Sequence, residues 1–294
     1  MRSNVLEYSL IAPPTLPAAL EALAADPGLY TPIAGGTELM VAFAAGRLAQ
    51  KHLLSINHLK ELRFIDVTPN TVILGAGTTF TDIRKHSVIA TDFPLLTQAA
   101  SWTGSVANQN RGTLGGNIVN ASPAADTPPA LLVYDACVTL ISARGARTLP
   151  YRDFHLSYKK SVLAPDELLF SIHLERRFSV YRSYIRKVGT RNAQAISKVA
   201  LACLALVAEG EARLITDIRI GAASLRETPA RCTAAEQALL NQPITPETWP
   251  ATIAAARVAL ASEVRPIDDI RSTAKYRAAV AANLLEEFLR SLLH

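Results

Sequence analysis

Two pairs of adjacent glycines, each flanked by small polar residues, carry the chemistry this sequence offers. The first pair lies within Pro32, Ile33, Ala34, Gly35, Gly36, Thr37, Glu38 and Leu39. The second lies within Thr113, Leu114, Gly115, Gly116 and Asn117, followed by Asn120, Ser122 and Asp126. At the first, an apolar strand pattern meets a helical one through the glycines. A helix start exposes unpaired N–H groups and a partial positive charge. Glycine lets that backbone approach a bulky anion, and Thr37 adds a hydroxyl donor, so a pyrophosphate fits such a turn. The spacing is neither GxGxxG nor the GxxxxGK[ST] of a phosphate loop. By local rules alone the segment is equally a tight turn with a threonine cap. Asp126 has two compatible roles: accepting hydrogen bonds from a ribose, or capping the helix that Thr127, Pro128 and Pro129 open. Lys187, in a basic stretch, reads locally as one more solvated cation.

The elements that must position these residues begin as alternating helix and strand. Residues 13–28 predict a helix with Thr15 as N-cap, Pro17 in the first turn, Leu16, Leu20, Leu23 and Ala24 at helical spacing, and Gly28 at the end. Strands over 30–34 and 52–56 flank a helix from 38 to about 45, closed by Gly46, which makes a small α/β lobe of residues 1–57. Residues 62–67 and 71–74 around Thr68, Pro69 and Asn70 predict a hairpin, and residues 137–142 and 146–149 around Arg144 and Gly145 a second. Between them Thr81 is a candidate cap of a short helix, and further helices start at Pro94 and after Asp126. Residues 58–177 thus form a larger mixed lobe, with a cleft between the two.

Beyond it, residues 183–187, 196–208 and 215–223 predict three strands, with a turn at Glu209 and Gly210. A last helix over 272–293 carries Tyr276, Val280, Leu284, Phe288 and Leu292 on one face. The predicted class is α+β, ending in a three-stranded antiparallel sheet packed against helices over residues 178–294.

Composition narrows the function. Of 294 residues, 49% are hydrophobic and 19% charged, enough apolar material for two or three compact domains. No apolar run reaches the roughly 18 residues of a membrane span. The N-terminus lacks a secretory layout, which predicts a cytoplasmic chain. The formal charge of +5 is scattered, apart from residues 182–191, and does not argue for nucleic acid. Cys137, Cys203 and Cys232 are too dispersed for a CxxC pair, a zinc ribbon or a local iron–sulfur run. Cys137 and Cys203 read as small buried hydrophobes. The six histidines form no HExxH-type cluster, so no metal is expected.

Taken together, AGGTEL at residues 34–39 and TLGGNIVNASPAADTPPALL at 113–132 resemble the FAD-binding (medium) subunit of the molybdenum hydroxylase family. That family includes xanthine dehydrogenase, aldehyde oxidoreductases and carbon monoxide dehydrogenase. KVGTRNAQAISKVALA at 187–202, IGAASLRETPARCTAAEQAL at 220–239 and the helix after DIRSTAKYR at 269–277 are similar too, so the resemblance runs in order over almost the whole chain.

The resemblance implies a two-lobed FAD-binding domain of the PCMH/VAO-like kind and a C-terminal flavoprotein domain. It implies that residues 32–39 wrap the FAD pyrophosphate and that residues 113–117 meet it from the other side. Asp126 is implied to bind the adenosine-side part of FAD, and Lys187 to lie near the flavin, where positive charge stabilises the reduced ring. Thr103 and Leu169 are implied as further contacts. The implied partners are a small [2Fe–2S] subunit and a large molybdopterin subunit, with electrons passing through FAD to NAD or another acceptor.

Some relatives that reduce aromatic acyl-CoA thioesters carry an extra four-cysteine cluster, from which the dispersed cysteines here depart. For the wall beside the isoalloxazine ring, Tyr184, Ile185 and Phe170 are candidates by position only. Two other functions use such cradles: a self-contained flavoenzyme and a nucleotide-binding module. The apolar strands and helices after residue 178 favour docking over a catalytic cap.

Overall fold

The computed structural model describes residues 4–191, 194–208, 210 and 213–293. The chain opens with β1 (Ser9–Ile11), α1 (Leu16–Ala25), β2 (Thr31–Ile33), α2 (Leu39–Ala44) and β3 (His52–Ser55). β3 is central and runs parallel to both β1 and β2. The Thr15 hydroxyl accepts from the Ala18 N–H and starts α1, as its residue type predicts. The helix buries Leu16, Ala19, Leu20 and Leu23 against Leu54, Leu59 and Leu62. It stops at Ala25, and Gly28 follows with φ of 90°. β1, three exposed to half-buried residues, has too little alternation to be read from sequence.

The next stretch holds β4 (Ile65–Val67), β5 (Thr71–Gly75), α3 (Phe80–Lys85), α4 (Ser87–Asp92), α5 (Pro94–Trp102), α6 (Val106–Arg111), α7 (Leu114–Val119) and α8 (Pro128–Val133). β6 (Cys137–Ser142), β7 (Gly145–Pro150), β8 (His155–Ser157), β9 (Lys160–Ser161) and β10 (Leu168–Glu175) follow. A five-stranded antiparallel sheet, ordered β4-β5-β10-β6-β7, backs the helices. Both expected hairpins are present. β6 alternates, burying Val138 and Leu140 in the core with Leu114, Ile118 and Leu131. The cap of α3 is Thr79, not Thr81. Thr79 accepts from the Asp82 N–H while the Asp82 carboxylate accepts from the Thr79 N–H, a reciprocal capping box that Thr81 has no partner to form. α6 and α7, six residues each, span less than two full helical turns and have no proline in the first turn of the kind that marks α8.

His155, at the start of β8, bonds the Tyr151 hydroxyl through Nε2 at 2.9 Å, and its Nδ1 is buried without a partner among the described residues. Burial lowers its pKa to about 4. The folded chain therefore favours neutral imidazole, against about 6.5 when unfolded. The stability this contributes is complete above pH ~6.5 and is lost as pH falls toward 4. Thermal unfolding across that window should show a steeper decline for the native chain than for His155→Gln. Equal slopes would refute the assignment.

The remainder forms a second antiparallel sheet, β11 (Arg182–Val188), β12 (Val199–Ala208), β13 (Leu214–Ala223) and β14 (Ala230–Arg231), followed by α9 (Thr233–Leu239), α10 (Trp249–Glu263) and α11 (Ala274–Ser291). The sheet has four strands where three were expected. The fourth is a two-residue edge held by Gly221↔Arg231 and Ala222↔Ala230, too short to leave a pattern. Glu209 of the expected turn lies outside the described residues. α11 buries Leu284, Leu285, Phe288 and Leu289 against β12 and α10, while Tyr276 stays exposed. Cys203 and Cys232 are buried, and Cys137 is half-buried at the start of β6. Among the described residues no helix is long and apolar enough to cross a membrane.

Candidate functional site

The first glycine pair joins β2 to α2, and its two members do different work. Gly35 is buried. A Cβ there would lie 1.8 Å from the Arg111 carbonyl oxygen and 3.0 Å from the Gly112 nitrogen. Glycine is required because this turn packs directly on the backbone leading to the second pair. The Arg111 guanidinium returns the contact, donating through Nε to the Gly35 carbonyl at 3.2 Å. Gly36 has φ of 73°, the left-handed region that favours glycine. Among the described residues, the N–H groups of Gly35, Gly36, Thr37, Glu38 and Leu39 donate to no backbone carbonyl. Residues 33–37, Met40 and Val41 of α2, and Asn108 and Arg111 line an open cleft of about 810 Å³. That is the size of a cofactor site.

The second pair lies in the first turn of α7, which Thr113 caps. Thr113 accepts from the Gly116 N–H at 3.0 Å, while the Leu114 and Gly115 N–H groups donate to the carbonyls of Thr78 and Ala76. The N–H groups of Leu114 to Asn117 are thus used internally, and at Gly116 the segment presents a surface without a side chain. Gly115 is packed: a Cβ would meet Ala76 at 2.5 Å. Gly116 is exposed and would meet only the Thr113 hydroxyl, at 3.0 Å. Asn117 accepts from the buried Thr127 hydroxyl at 2.6 Å. Gly116→Ala should leave the melting temperature of the ligand-free chain nearly unchanged, because alanine also favours the helix. It should weaken a bound cofactor about tenfold, read by titration. A large loss of stability would place Gly116 in the core instead.

Asp126 and Lys187 meet. Lys187 Nζ lies 2.6 Å from Asp126 Oδ2 and 3.2 Å from the Trp102 carbonyl, and the Ser197 hydroxyl donates to Asp126 Oδ1 at 2.6 Å. Both side chains are about nine-tenths buried. Lys187 is therefore not a solvated cation, and Asp126 is not the helix cap, which is Thr127. Burial pushes the Asp126 carboxyl above the usual carboxylate range, against the opposing pull of Lys187 and Ser197.

The other named positions separate. Thr103 ends α5 beside Trp102, its hydroxyl donating to the Ala99 carbonyl at 2.9 Å. Leu169 is buried in the core of the second lobe. Tyr184 turns toward α11, its ring 5.6 Å from Phe288, and Phe170 packs on Phe64 at 5.8 Å. Ile185 lies on the same face of β11 as Lys187, by strand alternation. The sequence reading missed Arg111, Asn108 and Lys159. The Lys159 ammonium is 2.6 Å from Asn120 Oδ1 and 3.6 Å from Glu38 Oε1. Arg111 and Asn108 lie just before the second glycine pair, so their proximity to it was the available signal.

The cleft has the chemistry a diphosphate-bearing cofactor needs: a row of open N–H groups on one side, and Asn108 and Arg111 on the other. Comparison with known proteins agrees. Residues 6–175 match the family model described as "FAD binding domain in molybdopterin dehydrogenase", and residues 184–292 match "CO dehydrogenase flavoprotein C-terminal domain". The nicotinate dehydrogenase FAD-subunit of Eubacterium barkeri is 32% identical and the match covers 75% of each chain. The xanthine dehydrogenase FAD-binding subunit of Escherichia coli O157:H7 is 29% identical over 90% of this chain and 88% of that one. A solved structure of carbon monoxide dehydrogenase from Hydrogenophaga pseudoflava, which lacks the Mo-pyranopterin moiety of the molybdenum cofactor, matches with a TM-score of 0.91 at 26% identity. That match covers 99% of this chain and 98% of the other. The chain therefore belongs to the FAD-binding flavoprotein family of the molybdopterin dehydrogenases, an oxidoreductase family, and its cofactor is FAD.

Proposed function

We propose that this chain is the electron-relay subunit of a multi-subunit molybdenum hydroxylase. In this reading a large molybdopterin subunit oxidises the substrate, and a small [2Fe–2S] subunit delivers the electrons. NAD or another acceptor takes them up, in the cytoplasm. FAD supplies the redox chemistry when bound, and the protein supplies position and charge. Residues 1–57 and 58–177 are the two FAD-binding lobes, and residues 178–294 the C-terminal flavoprotein domain.

The observation that carries this reading is the row of open N–H groups at residues 35–39, fixed by Gly35 against the backbone that leads to Gly115 and Gly116. Residues 32–39 hold the pyrophosphate and residues 113–117 cover it. Asp126 and Lys187 are bonded to each other, so they serve one end of the cofactor together rather than its two ends separately. Thr103, next to Trp102, belongs with them. Leu169 supports the lobe from its core.

The test is the flavin absorbance of the purified full chain, with chromatography of whatever heat releases. FAD is expected. A colourless chain that takes up no added FAD, alone or purified with its partners, would refute the proposal. Rapid reduction of its flavin by an organic substrate with no partner present would replace the relay with a self-contained flavoenzyme.

A further inference from the structure

We propose that Lys159 is a diphosphate-binding residue, carried by the turn between β8 and β9 to Glu38 and Asn120, where it joins the ends of the two glycine segments. The inference rests on the cofactor reading above and adds a group from a third part of the chain. Glu38 is the N-cap of α2 and belongs to the first cradle, while Asn120 is the C-cap of α7 and follows the second. The Lys159 ammonium touches both, at 3.6 Å and 2.6 Å. Among the described residues this is the one ion pair that joins residues before 58 to the rest of the chain. Its backbone is held at φ of 58°, a conformation that a non-glycine residue adopts rarely, so the turn aims the side chain at a definite place.

Charge explains why a lysine stands there. Glu38 puts an exposed carboxylate at the rim of a turn suited to an anion. Left alone it would repel a diphosphate. Lys159 offsets that charge, and an ammonium with three donors keeps one free after Asn120 and Glu38 are served. Arg111, the cation that lines the cleft, already donates to the Gly35 carbonyl. Lys159 remains about one-third exposed, so its end can swing from Glu38 to an incoming phosphate oxygen without unpacking the core.

The experiment titrates the full chain and its Lys159→Ala and Lys159→Arg variants with FAD, with ADP (diphosphate, no flavin) and with riboflavin (flavin, no diphosphate). Lys159→Ala should bind FAD and ADP about tenfold more weakly, the size of one partly solvated charge-assisted hydrogen bond. Riboflavin affinity should not change, Lys159→Arg should stay within about threefold of the native chain, and the deficit should shrink in high salt. Native affinity of Lys159→Ala for FAD and ADP would overturn the proposal. So would an equal loss for riboflavin, which would make Lys159 a clasp between the lobes and nothing more. A native chain that binds ADP but not FAD would overturn the flavin reading and leave Lys159 judged on ADP. One that binds neither overturns both.

Discussion

Gly35→Ala should abolish FAD binding, weakening it more than about 100-fold, and should destabilise the chain by about 3 kcal/mol or more. The new Cβ would fall 1.8 Å from the Arg111 carbonyl oxygen, and neither backbone has room to yield. On one side β2 is tied to β3 by its parallel ladder. On the other, the Gly112 N–H is committed to the Asn108 carbonyl at 2.6 Å. The strain would be relieved only by separating the lobes, which also parts the two cradles. FAD titration and denaturant unfolding of the variant check both halves. Binding within about threefold of the native chain would show that the close approach is dispensable, and the cradle would have to be sought elsewhere.

The buried Asp126–Lys187 pair should respond more strongly to single substitutions than to a double one. Removing one partner strands a charge, at a cost of about 3–5 kcal/mol, whereas an apolar pair of similar volume restores most of the stability. Asp126→Ala and Lys187→Ala should therefore each lower unfolding stability by that amount, and Asp126→Leu combined with Lys187→Met should recover most of it. The two single variants should also differ with pH. A carboxyl whose folded pKa is raised favours the fold most when protonated, and that benefit is lost as pH rises through the folded value. In Lys187→Ala the carboxyl has lost its counter-charge, so this variant's deficit should shrink as pH is lowered. The deficit of Asp126→Ala should persist over the same range, because no carboxyl remains there to be protonated. FAD titration separates structure from function: the double variant should be stable yet bind FAD poorly. A stable double variant with native FAD affinity would remove the pair from the cofactor site.

Much of the architecture was legible locally because local chemistry decides it. Thr15 and Pro17 start α1, Pro128 and Pro129 start α8, and alternation marks β6. Residues that fail to repeat over a full period were not legible. β1, β14, α6 and α7 are too short to carry a pattern and are held by neighbours. Thr81 looked like a cap because it precedes a helical run, but Thr79 has Asp82 at the distance a capping box needs.

By itself the sequence offered two glycine segments as candidates for a diphosphate, and the order of its motifs placed it in a flavin-binding family. Glycine at a strand-to-helix turn has local consequences that need no neighbour. The tertiary structure decided what each residue faces. In each pair the first glycine, Gly35 or Gly115, is filled by another segment's backbone or side chain, and the second, Gly36 or Gly116, is left accessible. It also turned Lys187 inward to Asp126 and brought Lys159 to Glu38 and Asn120. These contacts join residues far apart in the chain. They depend on how strands pair and layers stack, which no short window of residues encodes.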